Sequence, residues 1–216
     1  MRRALLVAAC LTPVLAGWAA DPPPATKDTP KVGPTAAEPA APAKEPDVVY
    51  VPTPQAVVDK MLEMAEVKKG DVVYDLGCGD ARILVTAAKR FGVRAFGFDI
   101  DPVRVKEARE NVRTNKVEHL VTIKQQDIFD LDLREASVVT LYLLPQLNVR
   151  LMPQLAKLKP GSRIVSHDFD MRGAKPVKTV TLKSEGAGGE DGQYFDDQEH
   201  TVYKWVVPWE ADPAAK

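Results

Sequence analysis

The chain predicts an α/β fold: a mostly parallel sheet with helices on both faces, closed by an antiparallel C-terminal hairpin. Three observations predict it. Asp71 to Asp80 (DVVYDLGCGD) runs from an apolar strand into a glycine turn, and helical spacing follows at once, with Ile83, Leu84, Ala87, Ala88 and Phe91 on one face. Further strands, apolar throughout, alternate with helical segments, the pattern of a sheet covered on both sides. Finally, Val177 to Leu182 and Thr201 to Val207 are strand-like and joined by a Gly-rich, acidic stretch (SEGAGGEDGQYFDDQ) with no helix between them, which reads as a hairpin.

The folded domain is expected over residues 48–210. Thr53-Pro54 opens a first helix, with Thr53 as N-cap and Pro54 in the first turn; Val57, Val58, Met61, Leu62 and Ala65 share its face and Lys69-Gly70 ends the element. After the glycine turn and its helix, stopped at Gly92, a second strand spans Val93 to Ile100. Asp101-Pro102 caps and opens a helix carrying Val105, Ala108 and Val112. His119 to Ile123 is a third strand and Ala136 to Leu144 a fourth. Pro145 to Leu158 forms a helix that Pro153 kinks or splits, because proline removes an amide and crowds the preceding turn. Arg163 to Ser166 is a fifth strand, and 211–216 a tail.

Upstream, residues 1–20 read as an export leader. Arg2 and Arg3 precede an apolar run from Ala4 to Ala16, and Gly17 and Ala19 are small residues at signal-peptidase spacing. Val7-Ala8-Ala9-Cys10 offers a second reading as a lipoprotein box with Cys10 as lipid anchor; a third is a misassigned start. The run is too short and too broken by Pro13 for a confident membrane span, and the mature protein is expected to have none. Residues 21–47, rich in Pro, Ala, Lys, Thr and Glu, cannot bury enough surface to fold and form a linker. The expected location is therefore periplasmic or membrane-tethered, and cytoplasmic if the start is misassigned.

Among 216 residues, 29 are Lys or Arg and 30 Asp or Glu, a net charge of −1. That leaves no bulk basic field to gather nucleic acid, and no nucleic-acid partner is expected. The only cysteines are Cys10 and Cys78, one in the leader and one in the turn, so no intramolecular disulfide is expected; nor is a metal.

The glycine turn limits the ligand. A phosphate-binding P-loop needs Gly-Lys-Ser/Thr, whereas Gly79-Asp80-Ala81 has no lysine and places an acid where phosphate would sit. A dinucleotide fingerprint needs a third glycine at position 82, which is Arg82. A cofactor with a positive sulfonium and a free amino-acid end fits what remains.

Asp75-Leu76-Gly77-Cys78-Gly79-Asp80 resembles the first motif of the class I S-adenosyl-L-methionine (SAM) methyltransferases. Asp99, 24 residues beyond Asp75 at the end of the second strand, stands where that family binds both ribose hydroxyls. Asp127-Ile128 stands after the third strand, where the acid takes the adenine amino group and the next residue offers backbone contact. The resemblance implies a Rossmann-like, seven-stranded sheet with an antiparallel last strand. It implies a SAM site built from Tyr50, Thr53, Asp75, Gly77, Gly79, Asp99, Asp127 and Ile128. Where the family has glycine this chain has Ala81: inside a helix its methyl is harmless, but at positive φ it should weaken cofactor binding.

Tyr50-Val51-Pro52-Thr53-Pro54 and Thr140-Leu141-Tyr142-Leu143-Leu144-Pro145 narrow the resemblance to bacterial relatives of the mitochondrial lysine methyltransferases acting on the adenine nucleotide translocase and the ATP synthase c-subunit. That implies a protein lysine as acceptor, Tyr142 lining the acceptor slot as catalytic residue, and the Tyr50–Thr53 segment lying over the cofactor. Tyr142 also reads as an ordinary core aromatic. His167 and Asp168, at the mouth of the fifth strand, are either a base pair near the site or loop-start hydrogen bonders. A small molecule or lipid as acceptor, and an exported SAM-binding protein without turnover, remain as alternatives.

Overall fold

The computed structural model describes residues 50–184 and 198–212. The leader, Cys10, the linker, the interior of the Gly-rich connection and residues 213–216 lie outside the described residues.

Seven strands form one sheet in the order β3-β2-β1-β4-β5-β8-β7. They are β1 (Val72–Leu76), β2 (Arg94–Asp99), β3 (Val121–Gln125), β4 (Val138–Leu141), β5 (Arg163–His167), β7 (Lys178–Ser184) and β8 (Gln198–Val206). The first five pair in parallel; β8 runs antiparallel to both β5 and β7, which makes the predicted hairpin the sheet's edge. Two short strands, β6 (Ala174–Lys175) and β9 (Glu210–Ala211), pair separately, so the tail expected from residue 211 begins inside a strand.

Among the described residues, four helices cover the sheet: α1 (Gln55–Met64), α2 (Arg82–Phe91), α3 (Pro102–Thr114) and α4 (Pro145–Leu155). Successive strand residues point to opposite faces, and the two cores follow that rule. On one side Val73, Ala95, Val121, Val138, Val165 and Val202 pack beneath α1, α2 and α3 through Val57, Met61, Leu62, Leu84, Ala87, Val105 and Ala108. On the other, Tyr74, Leu76, Phe98, Val139, Leu141, Ile164 and Trp205 pack under Leu147, Leu151 and Leu155 of α4. β1 is buried along its whole length, as its apolar run requires.

Three local expectations change. Thr53 does not cap α1: Pro54 takes that position without a side-chain bond, and Thr53 turns inward instead. The helix also ends at Met64, before Lys69-Gly70, where Glu66 enters the left-handed region at φ 52°. α4 is a single helix that runs through Pro153 and stops two residues later, so the missing amide disturbs only its last turn. By contrast, Asp101 caps α3 as its sequence indicates, accepting a bond from the Val103 amide.

Candidate active site

Strand order reverses between β1 and β4, and the crevice beyond the carboxyl ends of such strands is where open α/β sheets bind ligands. A cavity opens there, lined by Tyr50, Val51 and Thr53 from the N-terminal segment and by Asp75, Gly77 and Asp80 around the turn. Asp99, Asp101 and Arg104 follow β2, Asp127, Ile128 and Phe129 follow β3, and Tyr142 to Leu144 follow β4. Eight of the nine residues expected from sequence therefore line one cavity; Gly79, the ninth, does not line it, and its amide donates to Asp99.

The turn has to be glycine-rich. Gly77 and Gly79 have φ of 81° and 51°, and the Gly77 and Cys78 amides both donate to the Phe98 carbonyl at 2.8 and 3.0 Å, tying the turn to β2. A Cβ at Gly79 would collide with the ring of Tyr50, which folds over the turn. Ala81 takes the unfavourable alternative: its φ is 64°, a left-handed cap to α2, which costs an alanine about 1 kcal/mol. Its methyl is fully buried in the core, which offsets part of that cost. Cys78 is buried, and burial holds its thiol well above the usual range, consistent with a packing residue.

The acids are fixed by backbone donors. Asp99 accepts from the Gly79 amide through Oδ2 (2.9 Å) and from the Asp101 amide through Oδ1 (3.0 Å). Each carboxylate oxygen keeps a further lone pair, so both can still accept from vicinal hydroxyls. Asp127 accepts from the Phe129 amide and caps the short 3-10 turn Ile128–Asp130. Asp75 is buried and its Oδ1 accepts from the Thr140 hydroxyl at 2.6 Å. Burial raises its pKa to about 7, opposed by the Thr140 bond and reinforced by the charges of Asp99 and Asp80.

Sequence reasoning missed Arg82, having read it only as the absence of a glycine. Its guanidinium grips Asp80 from Nε and Nη2 and donates from Nη1 to the Thr53 carbonyl at 3.0 Å, pinning the N-terminal segment over the cavity. Arg104 lies over the Tyr50 ring at 4.8 Å from its centroid. Burial, and then the negative charge of Asp80, pushes the Tyr50 hydroxyl up to about 12, so it stays neutral.

Tyr142 forms the wall beyond β4. Its ring lies 3.9 Å from that of His167 and 5.9 Å from that of Phe169, centroid to centroid. His167 and Asp168 do associate, with His167 Nε2 3.2 Å from Asp168 Oδ2, but they sit behind Tyr142 rather than on the cavity surface. Asp168 does bond at the start of the loop after β5, its Oδ1 accepting from the Thr201 amide at 2.8 Å.

A cavity with several carboxylates, glycine amides beneath and an aromatic wall suits a ligand combining a cation with hydroxyls, and repels a pyrophosphate. SAM fits this donor set: Asp99 would face the ribose, Asp127 and Ile128 the adenine, and Asp75 the cationic end.

Comparison with known proteins agrees. The model of the ANTKMT methyltransferase domain matches residues 75–178. A protein-lysine N-methyltransferase of Saccharolobus islandicus is 46% identical over 164 residues, covering 75% of this chain and 95% of that protein. A ribosomal protein L11 methyltransferase of Geobacillus thermodenitrificans is 30% identical over 142 residues, 65% of this chain but only 43% of that protein. Among solved structures, an RNA methyltransferase of Salinibacter ruber in complex with S-adenosyl-L-homocysteine superposes with a TM-score of 0.65 at 46% identity, covering 77% of this chain and 99% of that one. With a relative this similar along nearly its whole length, the chain belongs to the class I SAM-dependent methyltransferases.

Proposed function

We propose that the methyl acceptor is the ε-amine of a protein lysine. The observation that carries this is the aromatic wall of Tyr142 and Phe169 at the end of β4 and β5, opposite the acids that fit SAM. SAM supplies an electrophilic methyl on a sulfonium, and an in-line displacement then requires mainly that a neutral amine be held in line with it. A tyrosine face holds an approaching ammonium by cation–π attraction, and an apolar, desolvated slot lowers the ammonium pKa so that it arrives neutral. Burial, then the charge of Asp168, holds the Tyr142 hydroxyl above its usual range, so the ring remains an uncharged donor. The lysine specificity named for the Saccharolobus relative supports the same acceptor.

The Salinibacter relative is named for RNA, and that alternative is tested directly. The full chain is incubated with methyl-labelled SAM and either total protein or total RNA, and products are read by mass spectrometry. Methyl-lysine in protein supports the proposal; label confined to RNA, lipid or a metabolite refutes it. The same reading includes export: mass-spectrometric mapping of the mature N-terminus is expected to show cleavage near residue 20. An N-terminus at Met1, or a lipidated Cys10, would replace that part of the proposal.

A further inference from the structure

Behind Tyr142, three side chains converge outside the cofactor cavity. His167 ends β5, Asp168 follows it, and His200 comes from β8, the neighbouring antiparallel strand. His167 Nε2 and His200 Nδ1 lie 2.9 Å apart, and Asp168 Oδ2 lies 3.2 Å from the first and 3.0 Å from the second. The other Asp168 oxygen is taken by the Thr201 amide at 2.8 Å, which orients Oδ2 toward the two rings.

With Asp168 a carboxylate, protons alone leave one edge of this triangle unsatisfied. Two ring nitrogens that close cannot both carry hydrogens facing each other, so at most one of the two rings carries a proton there. If it is on His200 Nδ1, the edge between His167 Nε2 and Asp168 Oδ2 sets two lone pairs against each other. If it is on His167 Nε2, the edge from His200 to Asp168 does. Each arrangement leaves one edge of the triangle without a donor, while the Thr201 amide keeps Asp168 Oδ2 turned toward both rings. Nor does a change of tautomer rescue His200, whose Nε2 is buried and without a partner in either case.

We propose that His167 Nε2, His200 Nδ1 and Asp168 Oδ2 form a site for a divalent transition-metal ion of the Zn2+ type. A cation seated just above the plane of the triangle can reach all three atoms at ligand distance, and two imidazoles with one carboxylate select Zn2+, Co2+, Ni2+ or Fe2+ over Mg2+ or Ca2+, which prefer all-oxygen shells. The outer contacts suit it. His167 Nδ1 lies 3.3 Å from Thr53 Oγ1, so an Nδ1–H donated there leaves Nε2 free to ligate. The rings are buried while the Asp168 side chain is 27% exposed, which leaves an approach for the ion and room for water in its shell. Bound there, the ion ties the closing hairpin to β5 and fixes the His167 ring against which Tyr142 packs. It lies outside the methyl-transfer path.

The test uses the untagged full chain, stripped with chelator and titrated with Zn2+ by calorimetry and with Co2+ by visible absorption. One ion per chain and a rise in Tm are expected. His200→Ala is expected to weaken Zn2+ binding by at least the ~100-fold that loss of an outer contact alone can cost, while calorimetry with SAM still shows cofactor binding. Asp168→Asn, which keeps the shape, serves if that variant does not fold and should show the same loss. His119→Ala, altering the remaining histidine of three, should change nothing. Absence of stoichiometric binding, or binding that survives both ligand substitutions, overturns the site, since ions would then be held elsewhere, as at Cys10 or surface carboxylates.

Discussion

Replacing Asp75 with asparagine should make the fold more stable, and increasingly so as pH rises. The carboxyl sits wholly within β1, with the Thr140 hydroxyl as its close partner, and its pKa is raised from 3.8 to about 7. In the unfolded chain it ionises near its ordinary value. Between those two values the native state therefore holds a proton that the unfolded state has lost, and stability falls as pH rises through about 7, levelling off above it. From about pH 5 to pH 7 the loss is two pH units at about 1.4 kcal/mol each, close to 3 kcal/mol. Asparagine keeps an acceptor for Thr140 and has nothing to ionise.

The assay is urea unfolding of both proteins across about pH 5 to pH 8, read as the difference between their stabilities. The difference removes the opposing contribution of His167, whose pKa is lowered by burial and which therefore favours the folded state as pH rises. It should grow by about 3 kcal/mol across the range. A flat difference, or an asparagine variant weaker by the same amount at every pH, would show that Asp75 is ionised in the folded protein and the reasoning wrong. The same linkage reaches the cofactor. A cation bound beside Asp75 favours its ionised form, so SAM binding near neutral pH should release a proton, measurable by calorimetry in buffers of different ionisation enthalpy.

Asp99→Ala removes the acceptors proposed for two ribose hydroxyls, each bond to a charged group contributing about 1.5–3 kcal/mol; SAM affinity by calorimetry should fall at least ~100-fold while far-ultraviolet circular dichroism is retained, and undiminished affinity rejects the ribose assignment. Arg82→Ala should weaken SAM binding about tenfold, one such bond's worth, by freeing the Thr53 carbonyl and the segment over the turn; an unchanged Kd would mean the segment closes without it. Gly97→Ala brings a methyl to 2.6 Å from Leu84 Cδ1 and 2.8 Å from Cys78 Sγ beneath the turn, so urea unfolding should show a loss of about 1–3 kcal/mol; a neutral result would show that the floor of the site yields.

Much of this was legible in the chain. Apolar strands and helical spacing placed the parallel sheet, and the missing helix before Thr201 placed the hairpin, because those patterns report burial directly. What stayed hidden depends on register or on partners distant in sequence. His167 and Asp168 are adjacent and visible, but His200 is 33 residues beyond His167, and only the β5–β8 pairing brings it there. The pairing of β6 with β9 joins segments of two residues each, too short for any periodicity. Arg82 was hidden differently: a motif defined by glycines marks it as a departure, and its role appears only once Thr53 lies above it.

The acids show why a motif in this sheet resists separation into structural and functional residues. Asp99 and Asp127 both accept from backbone amides: Asp127 caps a 3-10 turn, and Asp99 binds the Gly79 and Asp101 amides. Capping does not compete with binding, because a carboxylate has more lone pairs than one backbone amide uses. It also supplies the rigidity that binding needs. The bond from the Gly79 amide to Asp99 fixes the turn relative to the strand that presents the carboxylate, so the glycine floor and the hydroxyl acceptor cannot drift apart. A substitution at Asp99 therefore removes the proposed ligand contact and loosens the turn together. Gly97→Ala acts on the floor alone, and the two variants compared divide the cofactor's binding energy between contact and preorganisation.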